Sequence, residues 1–316
     1  MGKKSQRKAL AAMKKGKATE KNVSQQAQSK DAAAKSAAGR QNVTKKPVYI
    51  SRVHRPFEGL EHEVELAALR ELIPAGSVKI HTTKEYGDTD AWLVSIAPEQ
   101  AQGVKTDDGR ILIGLQTAGS TGDASHDIAL VLEKLIDASP GTTIKGLDVR
   151  AEAPKLREMI ASESDFEIYE DFGFWFTEEE RSEKDIAQAL EQMKESMVPT
   201  KALDGVRGAY WCKMTNNFVR WVRSEDEDAV LNGLARLLAE KDAELTDGAR
   251  CIGAFRMLGL LTPVWQVDNN DDLDKLSQAA KKFDAKLTKA IADKSALTPA
   301  QRRARDGFIS RQVSLR

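Results

Sequence analysis

The side chains that most often carry out catalysis or bind metals are few and scattered in this sequence. None of the histidines stands at the HxH, HxxxH or HExxH spacing that places two imidazoles around one metal ion. The cysteines form neither a CxxC redox pair nor a four-thiolate zinc set, and no GxSxG nucleophile elbow occurs. The sequence therefore predicts no catalytic residue, metal site or cofactor, although distant residues could still assemble an active site in the fold. These side chains are His54, His62, His81, His126, Cys212 and Cys251.

One loop could bind an anion through its backbone amides, because it follows a predicted strand and precedes a predicted helix. Its sequence lacks the GKS or GKT ending of a phosphate-binding loop. Asp123 stands where its own carboxylate can cap the helix. Capping by Asp123 is the favoured interpretation, and anion binding is the alternative. The residues that would bind the anion are Gly119, Ser120, Thr121 and Gly122.

Aromatic and basic residues lie close together on two predicted strands, at 206–214 and 217–223. Such a sheet face could stack nucleobases while cations hold phosphate. Period-two alternation, however, places Trp211 with Lys213 on one face and Tyr210 with Cys212 on the other. Because neither face is uniform, core packing is the favoured interpretation.

The net charge of zero conceals an uneven distribution of charge along the chain. Residues 1–47 hold 13 Lys or Arg against 2 Asp or Glu, and residues 285–316 hold 8 against 2. The intervening residues 48–284 hold 27 basic against 44 acidic groups, so an acidic body lies between two basic ends. Clustered Lys and Arg attract the phosphates of nucleic acid. The candidate nucleic-acid-binding residues are Lys3, Lys4, Arg7, Lys8, Lys14, Lys15, Lys17, Arg302, Arg303 and Arg305.

Residues 1–46 consist mainly of Ala, Lys, Gln and Ser and have almost no large apolar side chain to bury. Packing therefore cannot offset the entropy lost on folding, which predicts a disordered, Lys-rich tail. Attraction to nucleic acid is one function for such a tail. A solubilising role, or docking onto the acidic body of the same chain, is the alternative.

The arginine-rich residues 298–316 predict a C-terminal helix and tail. Thr298 is a natural N-cap and Pro299 suits the first helical position, while Gly307 is expected to weaken or end the helix. The arginines could contact nucleic acid. Docking on the acidic body is favoured, because three apolar side chains would otherwise be exposed. These are Phe308, Ile309 and Val313.

Alternating and helical apolar patterns predict an N-terminal α+β half over residues 47–176. Its three clear strands are joined by short connections, which implies antiparallel pairing, and Asp108-Gly109 is a hairpin signal. A second hairpin, with an aromatic face, is predicted at 165–176. Strands are expected at 77–83, 91–97 and 111–116, and helices at about 60–73, 125–138 and 154–161.

The C-terminal half, residues 177–297, begins with a charged helix predicted at about 178–196. It continues in the order ββαββα, which is typical of an antiparallel sheet covered by helices in an α+β fold. Because strands precede helices in both halves, a degenerate internal duplication is possible. The six elements are expected at 206–214, 217–223, 226–240, 250–258, 262–267 and 271–292.

The sequence predicts a cytoplasmic protein without membrane contact. No window approaches the roughly 20 apolar residues of a spanning helix, and no apolar signal segment follows the basic N terminus. Two cysteines without a neighbouring thiol suit a reducing compartment.

Residues 48–316 resemble an actinobacterial protein family of unknown function. The motifs that carry the resemblance are RPFEGL, ALRELIP, GDASHDIA, AYWCKM with RWV, LGLLTPVW and RRARDGFISRQVSLR. Members of that family are sometimes labelled SecA-like preprotein translocases or type II topoisomerases. This sequence supports neither label, since it lacks the cysteine and histidine ligands of a SEC-C zinc motif and the ATPase or acidic metal-binding module of a topoisomerase. The resemblance implies a bacterial cytoplasm and no particular activity.

Three classes of function fit these observations. The favoured one is a non-enzymatic accessory factor that contacts nucleic acid or a ribonucleoprotein such as the ribosome through its basic ends. The second is a protein-interaction module whose acidic body binds a basic partner. The third is an enzyme whose site is assembled by the fold.

Overall fold

The computed structural model describes residues 52–148, 150–270 and 272–310, in which two β-sheets and eight α-helices are formed. The α+β class predicted from the sequence is confirmed. The predicted Lys-rich tail, residues 1–46, lies outside the described residues, as does Val313.

The N-terminal half forms the first sheet. Its strands are β1 (Gly76–Thr82), β2 (Asp90–Val94), β3 (Gly103–Lys105), β4 (Ile111–Gly114), β5 (Thr143–Ile144) and β6 (Ile160–Ile168). Their order across the sheet is β5-β3-β4-β2-β1-β6, so β6 forms one edge. One face packs against three helices, which are α1 (Glu63–Glu71), α2 (Ala124–Ile136) and α3 (Leu156–Met159).

The predicted antiparallel pairing is confirmed for β1 with β2 but is wrong for β2 with β4, which run parallel. The chain between β2 and β4 contains a 3-10 turn at Pro98–Gln100 and the short strand β3, which pairs antiparallel with β4. This extra strand returns the chain to the end of the sheet at which β2 begins. The Asp108-Gly109 signal therefore marks a real hairpin, but the hairpin joins β3 to β4.

The aromatic hairpin predicted at 165–176 is wrong. Strand β6 ends at Ile168, and the next regular element is a 3-10 turn at Gly173–Trp175. The aromatic rings do not alternate across a strand pair. They pack together against the outer face of the first sheet, where Trp175 is 1% exposed and donates its indole N–H to the Ile96 carbonyl.

The charged helix predicted at 178–196 consists of two helices, α4 (Glu178–Arg181) and α5 (Lys184–Lys194). Thr177 starts α4 with a capping box that it shares with Glu180. Helix α5 then places Ile186 and Leu190 on the same outer face of the first sheet as the aromatic cluster.

The C-terminal half forms a second sheet in the predicted order ββαββα. Its strands are β7 (Thr200–Ala202), β8 (Ala209–Lys213), β9 (Asn217–Trp221), β10 (Arg250–Met257) and β11 (Leu260–Val267), with helices α6 (Glu227–Ala239) and α7 (Leu273–Ala292). The described strand pairs of this second sheet are all antiparallel, and their order is β10-β11-β9-β8-β7. The short edge strand β7 was not predicted. The two sheets differ in strand order, and the internal duplication stays a prediction.

Helix α1 is packed between the two sheets. All seven residues from Glu63 to Leu69 are buried, so no face of the first two turns is left to solvent. Its apolar side chains share one cluster with Ile80 of the first sheet and with Tyr210 and Leu260 of the second. The division of the chain into two halves at residue 176 stays a prediction. The apolar side chains of α1 pack in a core to which both halves contribute.

Polar partners offset the cost of burying charge on α1. Glu63 is 8% exposed and accepts two hydrogen bonds from Arg55, at 2.9 and 2.8 Å. Glu65 is 7% exposed and accepts two from Arg207, at 2.8 and 2.9 Å. Bidentate pairing of this kind satisfies carboxylates that would otherwise be costly to bury.

The C-terminal helix α8 (Pro299–Ile309) begins as predicted, with Thr298 as N-cap and Pro299 in the first turn. The helix continues past Gly307, contrary to expectation, because Phe308 inserts its ring into the core between the second sheet and its helices. The ring is 2% exposed, and Arg305 forms an ion pair with Asp228 of α6. The predicted docking of this segment on the body is confirmed for Phe308 and Ile309.

We expect Phe308→Ala to lower the free energy of unfolding by about 3–5 kcal/mol, because it removes a large buried ring and leaves a cavity. Urea denaturation of the full chain measures this change. Arg303→Ala is the matched control, since Arg303 is exposed on the same helix and its loss should change stability by less than about 0.5 kcal/mol. Equal effects of the two substitutions would show that α8 is not docked.

Candidate binding groove between the sheet edges

The predicted nucleic-acid-binding residues divide into two groups. Lys3, Lys4, Arg7, Lys8, Lys14, Lys15 and Lys17 lie outside the described residues. The C-terminal three lie on α8 but do not form one cationic surface. Arg305 is paired with Asp228, Arg302 donates to the Leu297 carbonyl, and Arg303 is exposed. Two of the three guanidinium groups thus contact this protein's own atoms.

The predicted anion-binding loop is organised around a carboxylate of its own chain. Asp127 is 5% exposed and accepts hydrogen bonds from the Ser120 hydroxyl at 2.6 Å, the Thr121 hydroxyl at 2.6 Å and the Thr121 amide at 2.9 Å. Asp123 caps α2, as predicted, by accepting from the amides of Ser125 and His126. Gly119 and Gly122 flank these contacts. The inward-pointing donors of Ser120 and Thr121 are therefore occupied by Asp127.

Of the four aromatic residues of β8 and β9, Tyr210 and Trp221 pack in the core as predicted, whereas Trp211 and Phe218 are half-buried. Tyr210 and Trp221 are 1% and 0% exposed, and they enter different apolar clusters on opposite faces of the second sheet. Burial raises the pKa of the Tyr210 phenol well above its usual range. Both cysteines are buried thiols, and burial raises the pKa of Cys212. These groups belong to the core.

Across residues 52–148, 150–270 and 272–310, no three His, Cys, Asp or Glu side chains are arranged to hold a metal ion. None of the helices in that part of the chain has the length and apolar character needed to cross a bilayer.

A groove that none of these residues explains lies between the edges of the two sheets. Strand β6 is an edge of the first sheet, β7 is an edge of the second, and a cavity of about 480 Å³ lies between them. We call this cavity the edge groove. Its walls are the end of β6, the connection from α5 to β7, and β7 itself. The residues that line it are Pro74, Phe166, Ile168, Tyr169, Glu170, Lys194, Met197, Val198, Pro199, Thr200, Lys201 and Ala202.

The β6 wall of the edge groove is mostly apolar, and its aromatic rings pack against neighbouring rings. The Phe166 ring packs edge-on against Tyr210, with 6.3 Å between ring centroids, and the Tyr169 ring stacks on Phe174 at 4.8 Å. Asp165 has a left-handed backbone (φ 47°) at a break in the register between β6 and β1. This bulge ends the regular edge before the groove begins, so only Phe166–Ile168 remain as extended edge backbone beside it.

The opposite wall exposes apolar surface. Val198 is 37% exposed, which is unusual for a large aliphatic side chain in this fold, and it adjoins the partly buried Met197. The chain passes from α5 into β7 here, so the backbone is held at both ends by regular structure.

Two lysines stand at the rim of the edge groove. Lys194 forms a 2.7 Å ion pair with Glu170, and this pair lowers the pKa of Glu170 and raises that of Lys194. Lys201 also lowers the pKa of Glu170, as a weaker contribution than the hydrogen bond from Lys194. The groove thus carries two cationic groups and one anionic group on a body whose composition is acidic.

Sequence reasoning did not find the edge groove. Its walls come from β6, from β7 and from the connection between α5 and β7, and each segment is ordinary on its own. A possible signal was the sequence MVPT at 197–200, where two apolar residues and a proline precede an edge strand. That pattern is common in loops and would not have singled out a site.

The fold and the groove define an α+β protein with two helix-covered sheets and a cleft between their edges. The chain belongs to the Family of unknown function (DUF5926), whose family model matches residues 56–316. Neither the curated proteins nor the solved structures contain a significant match to this chain.

His81 shows a separate electrostatic arrangement on the outer face of β1. Its Nδ1 lies 2.7 Å from Asp90 Oδ1 and its Nε2 lies 3.2 Å from Asp88 Oδ1. Lys79 also contacts Asp90, at 2.8 Å. The hydrogen bond to Asp90, followed by that to Asp88, raises the pKa of His81 above its usual value.

We expect the His81 imidazole to titrate above pH 6.5, and Asp90→Asn to lower its pKa because the largest stabilising contact is removed. NMR titration of the histidine ring protons measures both values. The pKa of His81 is raised in the folded state. The contribution of its ion pairs to folding stability is therefore complete below the unfolded-state pKa and is lost as pH rises through the folded-state pKa. Titration of the wild-type ring at or below pH 6.5 would contradict the arrangement, and Asp88→Asn should have the smaller effect.

Proposed function

We propose that this protein is a non-enzymatic interaction module whose edge groove binds an extended segment of a partner protein. The observation that carries the proposal is the apolar cleft between two sheet edges. Its volume of about 480 Å³ lies within the range of about 300–1,000 Å³ that is typical of ligand pockets. Edge strands present unpaired main-chain groups to which an extended segment can add hydrogen bonds.

The lining of the groove favours a segment that combines apolar side chains with a carboxylate. The apolar surface of the groove comes from Phe166, Ile168 and Val198. Two or three partner side chains could be buried there, and each would contribute about 1.5–3 kcal/mol to the binding free energy. Lys201 supplies positive charge at the rim, whereas the charge of Lys194 is paired with Glu170. The acidic composition of the body favours a basic partner elsewhere on the surface, whereas the groove itself favours an acidic one. Both cysteines are buried thiols, which is compatible with a reducing cytoplasm.

We expect immobilised full-length protein to enrich, from a phage-displayed library of random peptides, sequences that combine apolar residues with Asp or Glu. Lys201→Glu should shift the enriched charge toward Lys and Arg, because it reverses the sign at the rim. Val198→Asp should weaken the best peptide about tenfold or more, since it places a charge on the apolar wall. Fluorescence polarisation with the selected peptide measures the affinities.

The matched control is Met214→Asp, because Met214 is 48% exposed and does not line the edge groove. This substitution should leave peptide affinity unchanged. Failure to enrich any consensus, or a consensus whose binding survives Val198→Asp and Lys201→Glu, would refute the groove as the binding site.

Contact with nucleic acid or a ribonucleoprotein such as the ribosome is a second candidate function. The observation that favours it is the excess of 13 Lys or Arg over 2 Asp or Glu in residues 1–47. The exposed Arg303 adds a cation at the other end of the described chain. Such clusters bind phosphate backbones without reading sequence, and this binding is weakened by salt.

Deletion of residues 1–46 should flatten the dependence of log affinity on log salt concentration, because each neutralised phosphate contributes roughly one unit of slope. Filter binding or fluorescence anisotropy with duplex DNA and with structured RNA measures the slope. Arg303→Ala is expected to change it by no more than about one unit. An unchanged slope after the deletion would contradict nucleic-acid binding by the N-terminal residues.

A further inference from the structure

A second, smaller cavity lies on the outer face of the first sheet, beyond the Tyr169 side chain that also lines the edge groove. Its volume is about 240 Å³, and two arginines, Arg110 and Arg181, line it together with aromatic side chains. We call it the arginine cavity. Its polar floor is Ser77, which is 2% exposed and lies 2.9 Å from the Tyr169 hydroxyl through its Oγ.

Two contacts hold Arg110 in place. They occupy only part of its guanidinium group, and Arg110 also lines the cavity. Its Nε donates to Asp108 Oδ2 at 2.8 Å, and its Nη1 donates to the Phe174 carbonyl at 3.0 Å. Asp108 itself does not line the cavity. Arg110 follows the hairpin turn at Gly109, where the backbone is left-handed (φ 87°). This turn sets the position of the Arg110 Cα atom.

Arg181 also lines the cavity, where it lies close to Gly173. A Cβ atom at Gly173 would lie 2.7 Å from both Arg181 Nε and Asp171 Oδ1, so the missing side chain leaves room for the guanidinium group and this carboxylate beside the backbone. The capping box between Thr177 and Glu180 fixes the short helix that carries Arg181. Arg181 forms no ion pair with any residue in the described part of the chain.

Arg110 is paired with Asp108, and the Asp171 carboxylate lies near Arg181, but neither aspartate lines the cavity, so an anion bound inside it would be attracted by both guanidinium groups. Glu178 lines the cavity but belongs to the exposed first turn of α4, where the N-terminal end of the helix also attracts it. Trp92 and Phe174 line the same cavity with aromatic side chains. Guanidinium groups bind carboxylates in a planar, bidentate geometry.

We propose that the arginine cavity binds a small planar organic carboxylate, with the carboxylate between Arg110 and Arg181 and the apolar part of the ligand against Trp92 and Phe174. The cavity volume limits the ligand to about the size of a single substituted ring. This site is distinct from the edge groove and does not depend on the proposed interaction with a partner protein.

Benzoate is the test ligand and benzamide is its neutral counterpart. Saturation-transfer NMR with the full-length protein should give a dissociation constant for benzoate on the order of 1 mM, as expected for a ligand of this size. Benzamide should bind about tenfold more weakly or not at all. Equal binding of the two compounds would overturn the proposal, because charge would then play no part.

Substitutions locate the site. Arg181→Gln should weaken benzoate about tenfold, whereas Glu178→Gln should strengthen it, because the first removes an attractive charge and the second a repulsive one. Arg303→Gln is the matched control and should leave the affinity unchanged, since Arg303 is exposed on α8. Unaltered binding in Arg181→Gln, or an equal loss in Arg303→Gln, would refute the cavity as the site.

Two further measurements keep the outcome interpretable. Thermal unfolding of Arg181→Gln should match that of the wild type, because this arginine is exposed and its loss leaves no core cavity. Val198→Asp, which disrupts the edge groove, should not change benzoate affinity. Loss of benzoate binding in Val198→Asp would show that the ligand occupies the groove and would overturn the assignment to the arginine cavity.

Discussion

The burial of helix α1 between two sheets is the interaction on which the rest of this structure depends. A helix enclosed on every side normally consists of apolar residues, yet α1 carries Glu63 and Glu65 in its buried turns. Arg55 and Arg207 satisfy these carboxylates from the chain before α1 and from the second half. Buried ion pairs contribute little net stability, but they disfavour any arrangement in which one partner is left unpaired. The two pairs therefore specify how α1 sits against both sheets.

The same helix determines where the edges of the sheets meet. Glu163 of β6 accepts hydrogen bonds from the amides of Glu61 and His62, at 2.8 and 2.9 Å, and so satisfies donors at the N-terminal end of α1. Tyr210 of β8 packs in the apolar cluster of α1 and against Phe166 of β6. Because both sheets are anchored to one helix, β6 and β7 come to lie beside each other, and the edge groove is the space that remains between them.

The two cavities show how local charge can differ from overall composition. Residues 48–284 carry 44 acidic against 27 basic groups, yet the edge groove has two lysines to one glutamate, and the smaller cavity has two arginines to one glutamate. A ligand responds to the groups within a Debye length, about 8–10 Å at physiological salt, more than to the net charge of the chain. Tyr169 separates the cavities, stacked on Phe174, with its phenol pKa raised chiefly by burial.

The sequence by itself determined those features that depend on neighbours along the chain. Helix starts at Asp123 and Thr298 follow from side chains that cap the next turn, and the ββαββα order follows from local alternation and turn residues. Only the tertiary structure decided the parallel pairing of β2 with β4, because β3 is too short to be recognised from its own residues. It also decided the packing of the aromatic run at 172–176, the burial of α1 and the presence of Arg110 and Arg181 in the lining of one cavity. These depend on contacts between segments far apart in the sequence, and nothing in the local pattern of either segment specifies its partner.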